Sequence, residues 1–213
     1  MTKENFTMIS VILDSSGSMY SLAADSIKNF NTFLSEQKAA PEEAAFTLCT
    51  FNTDYSLVHD FVKLAHVPEL NNKVYKPQGS TALLDALGAT INSVGAKLAA
   101  LSEDERPSKV IFLIITDGQE NASKLFNKAQ IKSMIEHQTN TYNWNFIFMG
   151  SHLDAISDAA AIGINSTHSM SYDASSSGTH DLYKGVSTSL RNYRSKGITS
   201  DSFTSTVKKS TVK

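Results

Sequence analysis

The chain has 213 residues, 41% hydrophobic and 19% charged, and a formal charge of -2 at pH 7; these values suit one globular domain with a sizeable core and exclude wholesale disorder. They show no basic excess of the kind a general nucleic-acid binder carries, and no apolar run reaches the roughly 18 residues a membrane-spanning helix needs. One cysteine, Cys49, allows no internal disulfide.

Met1-Thr2-Lys3-Glu4-Asn5 lacks the apolar stretch of a secretory signal. A cytoplasmic protein is therefore expected, and a virion part exported without a signal would read the same. Phe6 to Leu13 is a mostly apolar run that predicts a strand ending at Asp14. From Ser21 to Lys38, the residues Leu22, Ile27, Phe30 and Leu34 fall on one helical face, and Pro41 ends the stretch. Ala44 to Phe51 reads as a second strand and Tyr55 to Leu64 as a third. Only Asn52-Thr53-Asp54 separates them, too little for a crossover, so the two are expected to pair as an antiparallel hairpin.

A loop over 65–80 leads to a helix in which Leu84, Leu87, Ile91, Val94 and Leu98 recur at intervals of 3, 4, 3 and 4, a core-facing stripe. Lys109 to Thr116 is apolar throughout its middle, as a central parallel strand covered on both faces should be. A helix over Lys124 to His137, a strand over Asn143 to Met149 and a short helix over Leu153 to Ala161 follow. Ser166 to Tyr172 is a weak edge-strand candidate, and Asp181 to Arg194 a last helix. Strands alternating with helices predict a doubly wound α/β fold in a domain over 1–196. Residues 197–213 are rich in Ser, Thr and Lys and are expected to form a mobile polar tail.

Three segments carry candidate chemistry. Asp14-Ser15-Ser16-Gly17-Ser18 follows the first strand, Gly79-Ser80-Thr81 precedes the striped helix, and Thr116-Asp117-Gly118-Gln119-Glu120-Asn121 follows the buried strand. Ligands of open α/β sheets collect beyond the carboxyl ends of the strands, at the switch point. If the strands of Asp14 and Asp117 are neighbours, their carboxylates meet there. Asp14, Ser16, Ser18, Thr81 and Asp117 offer oxygen only, which argues against zinc or copper and suits Mg²⁺, Mn²⁺ or Ca²⁺. Each segment alone also has a plain structural reading, the serines as helix caps and Asp117-Gly118 as a turn.

Taken together, Asp14-x-Ser16-x-Ser18, the distant Thr81 and Thr116-Asp117-Gly118 resemble the metal-ion-dependent adhesion site of von Willebrand factor A domains. The resemblance covers roughly residues 6–195. It implies that family's fold: a three-layer, Rossmann-like sandwich whose mostly parallel central sheet has one antiparallel edge strand. It also implies that Asp14, Ser16, Ser18, Thr81 and Asp117 hold the metal. Leu13 to Met19, Thr81 to Ala86 and Phe148 to Ala155 look like the small stand-alone A domains of bacteria and their phages.

Around these residues, Asp85 reads either as a brace for Thr81 or a metal-bound water, or as an ordinary helix aspartate. Gln119, Glu120 and Asn121 either contact a partner from the rim or cap the next helix. The expected function is a metal-dependent binding module without catalytic residues, whose partner is a protein offering an aspartate or glutamate. Neither nucleic acid nor membrane is an expected partner, and self-association is an allowed form of the same contact. Two alternatives stay open: a structural subunit of a bacterial or phage assembly with the metal as a staple, and a metal-assisted hydrolase. The hydrolase lacks an evident general base beside the site and a phosphate loop.

Overall fold

A computed structural model describes residues 2–196; the expected polar tail over 197–213 lies outside the described residues. Six strands alternate with five helices in the order β1 (Lys3–Asp14), α1 (Ala23–Lys38), β2 (Glu43–Phe51), β3 (Tyr55–Lys63), α2 (Leu83–Ala100), β4 (Pro107–Thr116), α3 (Lys128–Tyr142), β5 (Asn145–Gly150), α4 (Ala155–Ala161), β6 (Ser169–Ser171) and α5 (Ser176–Lys196). All pair into one sheet of order β3-β2-β1-β4-β5-β6. Every pairing is parallel except that of β2 with β3, the hairpin expected from the three-residue connection.

Alternation along β1 divides the core into two layers. Ile9, Val11 and Leu13 pack with Phe30, Leu34, Leu182 and Leu190 of α1 and α5. On the other face, Met8 and Ile12 meet Leu87, Ile91 and Ile135 of α2 and α3, together with Phe146 and Phe148 of β5 and Trp144 just before it. Phe112 stacks on Phe146 with ring centroids 4.8 Å apart. Covering on both faces explains why β4 is apolar without alternation. Among the described residues no helix is long and apolar enough to cross a membrane.

Several helix starts differ from expectation. Residues 17–22 form a 3₁₀ turn, and α1 begins only at Ala23. The helix expected from Lys124 begins at Lys128; the amides of Lys124, Leu125 and Phe126 before it are held by the Asp85 carboxylate. Asn127 then caps α3 in a reciprocal pair with Gln130. At the last helix, Ser175 Oγ accepts the Gly178 amide and starts α5 five residues before the expected position.

Chain order reverses between β1 and β4: from β1 the chain proceeds to β2 on one side and later to β4 on the other. Their carboxyl ends bound the switch point, where a crevice opens. Leu13 pairs with Ile115 there, so Asp14 and Thr116 leave the sheet side by side.

Candidate metal centre

Backbone contacts between loops build the crevice before any side chain enters it. The Ser15 amide donates to Phe51 O at 2.7 Å, the Gln78 amide to Ser15 O at 2.9 Å, and the Gly17 amide to Gly79 O at 3.0 Å. Gly79 adopts φ +72°, and a side-chain carbon there would lie 2.7 Å from Thr53 Oγ1; both facts demand glycine. The Asn121 amide donates to Thr81 O at 3.0 Å. Asn121 Oδ1 accepts the Thr81 amide in return at 2.9 Å. Thr81 is thereby fixed against the loop after β4.

Asp14 lies fully buried at the floor. Its Oδ1 accepts the Ser16 amide at 2.7 Å, and its Oδ2 accepts the Thr116 hydroxyl at 2.5 Å. Tyr75, from the long loop, donates its hydroxyl to Asp14 O at 2.7 Å. Above the floor, Ser16 Oγ and Ser18 Oγ are 3.1 Å apart, and Ser18 donates to Asp117 Oδ1 at 2.6 Å. A carbon added to Gly118 would sit 2.9 Å from Thr81 Oγ1, 3.6 Å from Ser18 Oγ and 3.8 Å from Ser16 Oγ. Three hydroxyls from two loops therefore converge on one small volume that only the absence of a Gly118 side chain leaves open.

Burial pushes the Asp14 carboxyl above its ordinary range, against hydrogen bonds from Thr116 and Ser16 that pull it down. Asp117 is pushed up by burial too, against the Ser18 hydroxyl. A cation among these oxygens would offset the desolvation of both carboxylates. Among the described residues no group of three or more His, Cys, Asp or Glu side chains is arranged to hold a metal. Two carboxylates bordering three hydroxyls offer oxygen donors only, the kind a hard cation would take.

The five candidate ligands thus come together, whereas three of the four residues around them have other work. Asp85 does not brace Thr81; its oxygens take the amides of Lys124, Leu125 and Phe126 at 2.8–2.9 Å. Glu120 is turned inward from the rim. It accepts the Leu84 amide at the start of α2, the Ala122 and Ser123 amides and the Ser123 hydroxyl. Asn121 positions Thr81, as above. Gln119, exposed on the rim, reaches Asp154 Oδ2 at 3.3 Å. Sequence reasoning assigned no role to Thr116 or Tyr75. Thr116 stands beside Asp117 at the end of a strand, a placement that could have signalled it; Tyr75 lies in an aperiodic loop that signals nothing.

A doubly wound sheet with an oxygen-lined crevice at its switch point defines the class of protein. Within it, the model of the von Willebrand factor type A domain matches residues 9–185, and the chain belongs to that family. No curated protein sequence matches it. Among solved structures it is similar to proximal thread matrix protein 1 from the mussel byssus, whose adhesion-site motif is occupied by zinc, at TM-score 0.62 and 15% identity over 85% of this chain and 47% of that one. It is similar to a von Willebrand factor type A protein from Catenulispora acidiphila at TM-score 0.58 and 13% identity, covering 89% of this chain and 43% of that one. The pilus adhesin SpaC from Lactobacillus rhamnosus GG, in its open conformation, gives TM-score 0.66 and 13% identity over 89% of this chain and 30% of that one. The chain spans less than half the length of each of these proteins. At such identities the likeness shows the fold.

Proposed function

We propose that the chain is a divalent-cation-dependent protein-binding module. Asp14, Ser16, Ser18, Thr81 and Asp117 hold one ion, and the ion ligates the carboxylate of an aspartate or glutamate on a partner protein. The observation that carries the reading is the convergence of the Ser16, Ser18 and Thr81 hydroxyls beside Gly118, with Asp117 bonded to Ser18 at its edge. Two carboxylates at most neutralise a divalent ion, and the hydroxyls add no charge. If one carboxylate acts through water, the ion stays electrophilic toward solvent. Binding of this kind makes and breaks no covalent bond, and the module is proposed to act without catalysis. A thread matrix protein and a pilus adhesin among the similar structures support a role in contacts between proteins.

Mg²⁺ is the first choice of ion, with Mn²⁺ and Ca²⁺ as alternatives suited to the same oxygens. The zinc in the mussel protein's site adds Zn²⁺ to the ions to be tried. The test is thermal unfolding of EDTA-stripped protein titrated with each ion, beside Asp117→Ala. Binding to the native state raises the midpoint with ion concentration, and the rise should be absent from the variant. A wild-type midpoint indifferent to all four ions would refute the proposal.

A further inference from the structure

We propose a second ligand site, at the amino end of β1 and β2, for a small organic acid whose carboxylate meets Arg194 and whose short apolar body lies along Phe6 and Leu64. It does not depend on the metal-mediated reading. A cavity of about 350 Å³ opens there between the end of α1, the starts of β1 and β2, the end of β3 and the last turn of α5. That volume falls within the roughly 300–1,000 Å³ of small-molecule sites. Phe6 of β1 lines this cavity, and Asp14 of the same strand lies in the metal centre. At the rise of a strand the two are roughly 26 Å apart, so a small ligand in the cavity does not touch the ion site.

The wall carries four cationic side chains, Lys3, Lys38, Lys63 and Arg194, against two carboxylates, Glu42 and Glu43. Lys3 and Glu43 pair at 2.5 Å, which leaves positive charge in excess. Arg194 is fully buried. Its Nη1 donates to Gln37 O at 2.7 Å and Gln37 Oε1 at 3.2 Å, and its Nη2 to Glu42 O at 2.5 Å. All three acceptors are neutral. Among the described residues no carboxylate lies within ion-pair distance of the guanidinium. Its Nε, on the edge where a guanidinium takes a carboxylate in two parallel bonds, has no partner. A buried charge without a counter-ion is costly, and an entering carboxylate supplies one. Lys38 Nζ also donates to a neutral acceptor, Val67 O, at 2.5 Å, and Lys63 is exposed. Both add to the positive potential that draws an anion in. The rest of the wall includes Phe6, Pro41, Ala44 and Leu64, which suits an aliphatic chain better than a bare inorganic ion.

The test titrates sodium hexanoate, hexanamide and sodium phosphate by NMR into the full chain in EDTA, so that no ion at the metal centre can capture a carboxylate. Hexanoate should shift the Arg194 Nε–Hε signal and the amides of Phe6, Ala44 and Leu64. It should bind at least about tenfold more tightly than hexanamide, the value of one charged hydrogen bond. Lys38→Glu with Lys63→Glu alters two exposed side chains and should remove that preference while the rest of the spectrum stays that of folded protein. Equal binding of hexanoate and hexanamide, an unchanged preference in the double variant, shifts confined to residues away from the cavity, or no saturable binding would each overturn the site. Phosphate binding as tightly as hexanoate would overturn its assignment to an organic acid.

Discussion

Replacing Gly118 with alanine adds one methyl carbon 2.9 Å from Thr81 Oγ1, inside normal contact distance, and within 4 Å of the Ser16 and Ser18 hydroxyls. The backbone itself accepts the change, since Gly118 is not among the residues of positive φ. The atom in conflict is a hydroxyl at the end of a rotatable side chain. The fold should therefore respond by turning the Thr81 hydroxyl away, at a cost of about 1 kcal/mol. For an ion, the same methyl occupies the space on which the hydroxyls converge and removes one of its ligands. At an ion concentration of about 100 Kd, the wild type gains about 2.7 kcal/mol from binding. For a domain of this size each kcal/mol moves Tm by roughly 2–4 °C, so the expected rise is about 5–11 °C. Calorimetry on Gly118→Ala at the same concentration should show a rise under about 2 °C, with a midpoint in EDTA within about 4 °C of wild type. A full rise in Gly118→Ala would refute the argument, because the ion would then bind somewhere other than among these hydroxyls.

The Asp85→Ala variant leaves the amides of Lys124, Leu125 and Phe126 without their acceptor. EDTA-stripped protein should lose about 1–3 kcal/mol in urea unfolding and exchange those three amides faster, while its ion-induced rise in midpoint persists; unchanged stability and exchange would show that the loop holds itself. Burial pushes the Cys49 thiol up to about 12 from its ordinary value of 9.0. Since the thiolate is the nucleophile, a disulfide reagent at pH 8 should label native protein only as fast as it unfolds, and more slowly with the ion bound; prompt labelling would contradict the buried position. The sign of the alkaline response follows from the same shift. The folded thiol keeps its proton after the unfolded one has lost it, so stability falls as pH rises from about 9 toward 12, and Cys49→Ala should flatten the urea-derived slope below pH 10.

Much of this was legible in the residues because it is local or periodic. The stripe of Leu84, Leu87, Ile91, Val94 and Leu98 marks α2, the unbroken apolar run marks β4, and a three-residue connection marks the hairpin. The candidate ligands were legible for another reason: oxygen-bearing residues placed just after strands or just before a helix have few other uses in that combination. What escaped is the bracing, whose partners are distant in the chain. Asp85 takes the amide of Lys124 across 39 positions, and Thr116 meets Asp14 across 102. Such pairs exist only once the sheet order is known. The non-helical run over 124–127 is equally out of reach, since nothing local reveals that a carboxylate on α2 will hold the amides of Lys124, Leu125 and Phe126.

The bracing also decides the charge presented to a partner. Asp14, Asp85, Asp117 and Glu120 are acidic side chains on the loops and helix start that build the crevice. Were all four turned toward the ion, their combined charge would exceed its own, and the site would repel the carboxylate it is proposed to bind. The structure engages Asp85 with three backbone amides and Glu120 with three amides and a hydroxyl. That leaves Asp14 and Asp117 to face the hydroxyls, and Asp14 is itself engaged by Ser16 and Thr116. Turning two of four carboxylates to peptide groups thus performs two tasks at once. It fixes the loop after β4 against α2, and under the proposed function it would leave an ion in the crevice enough positive character to bind an acidic side chain from outside.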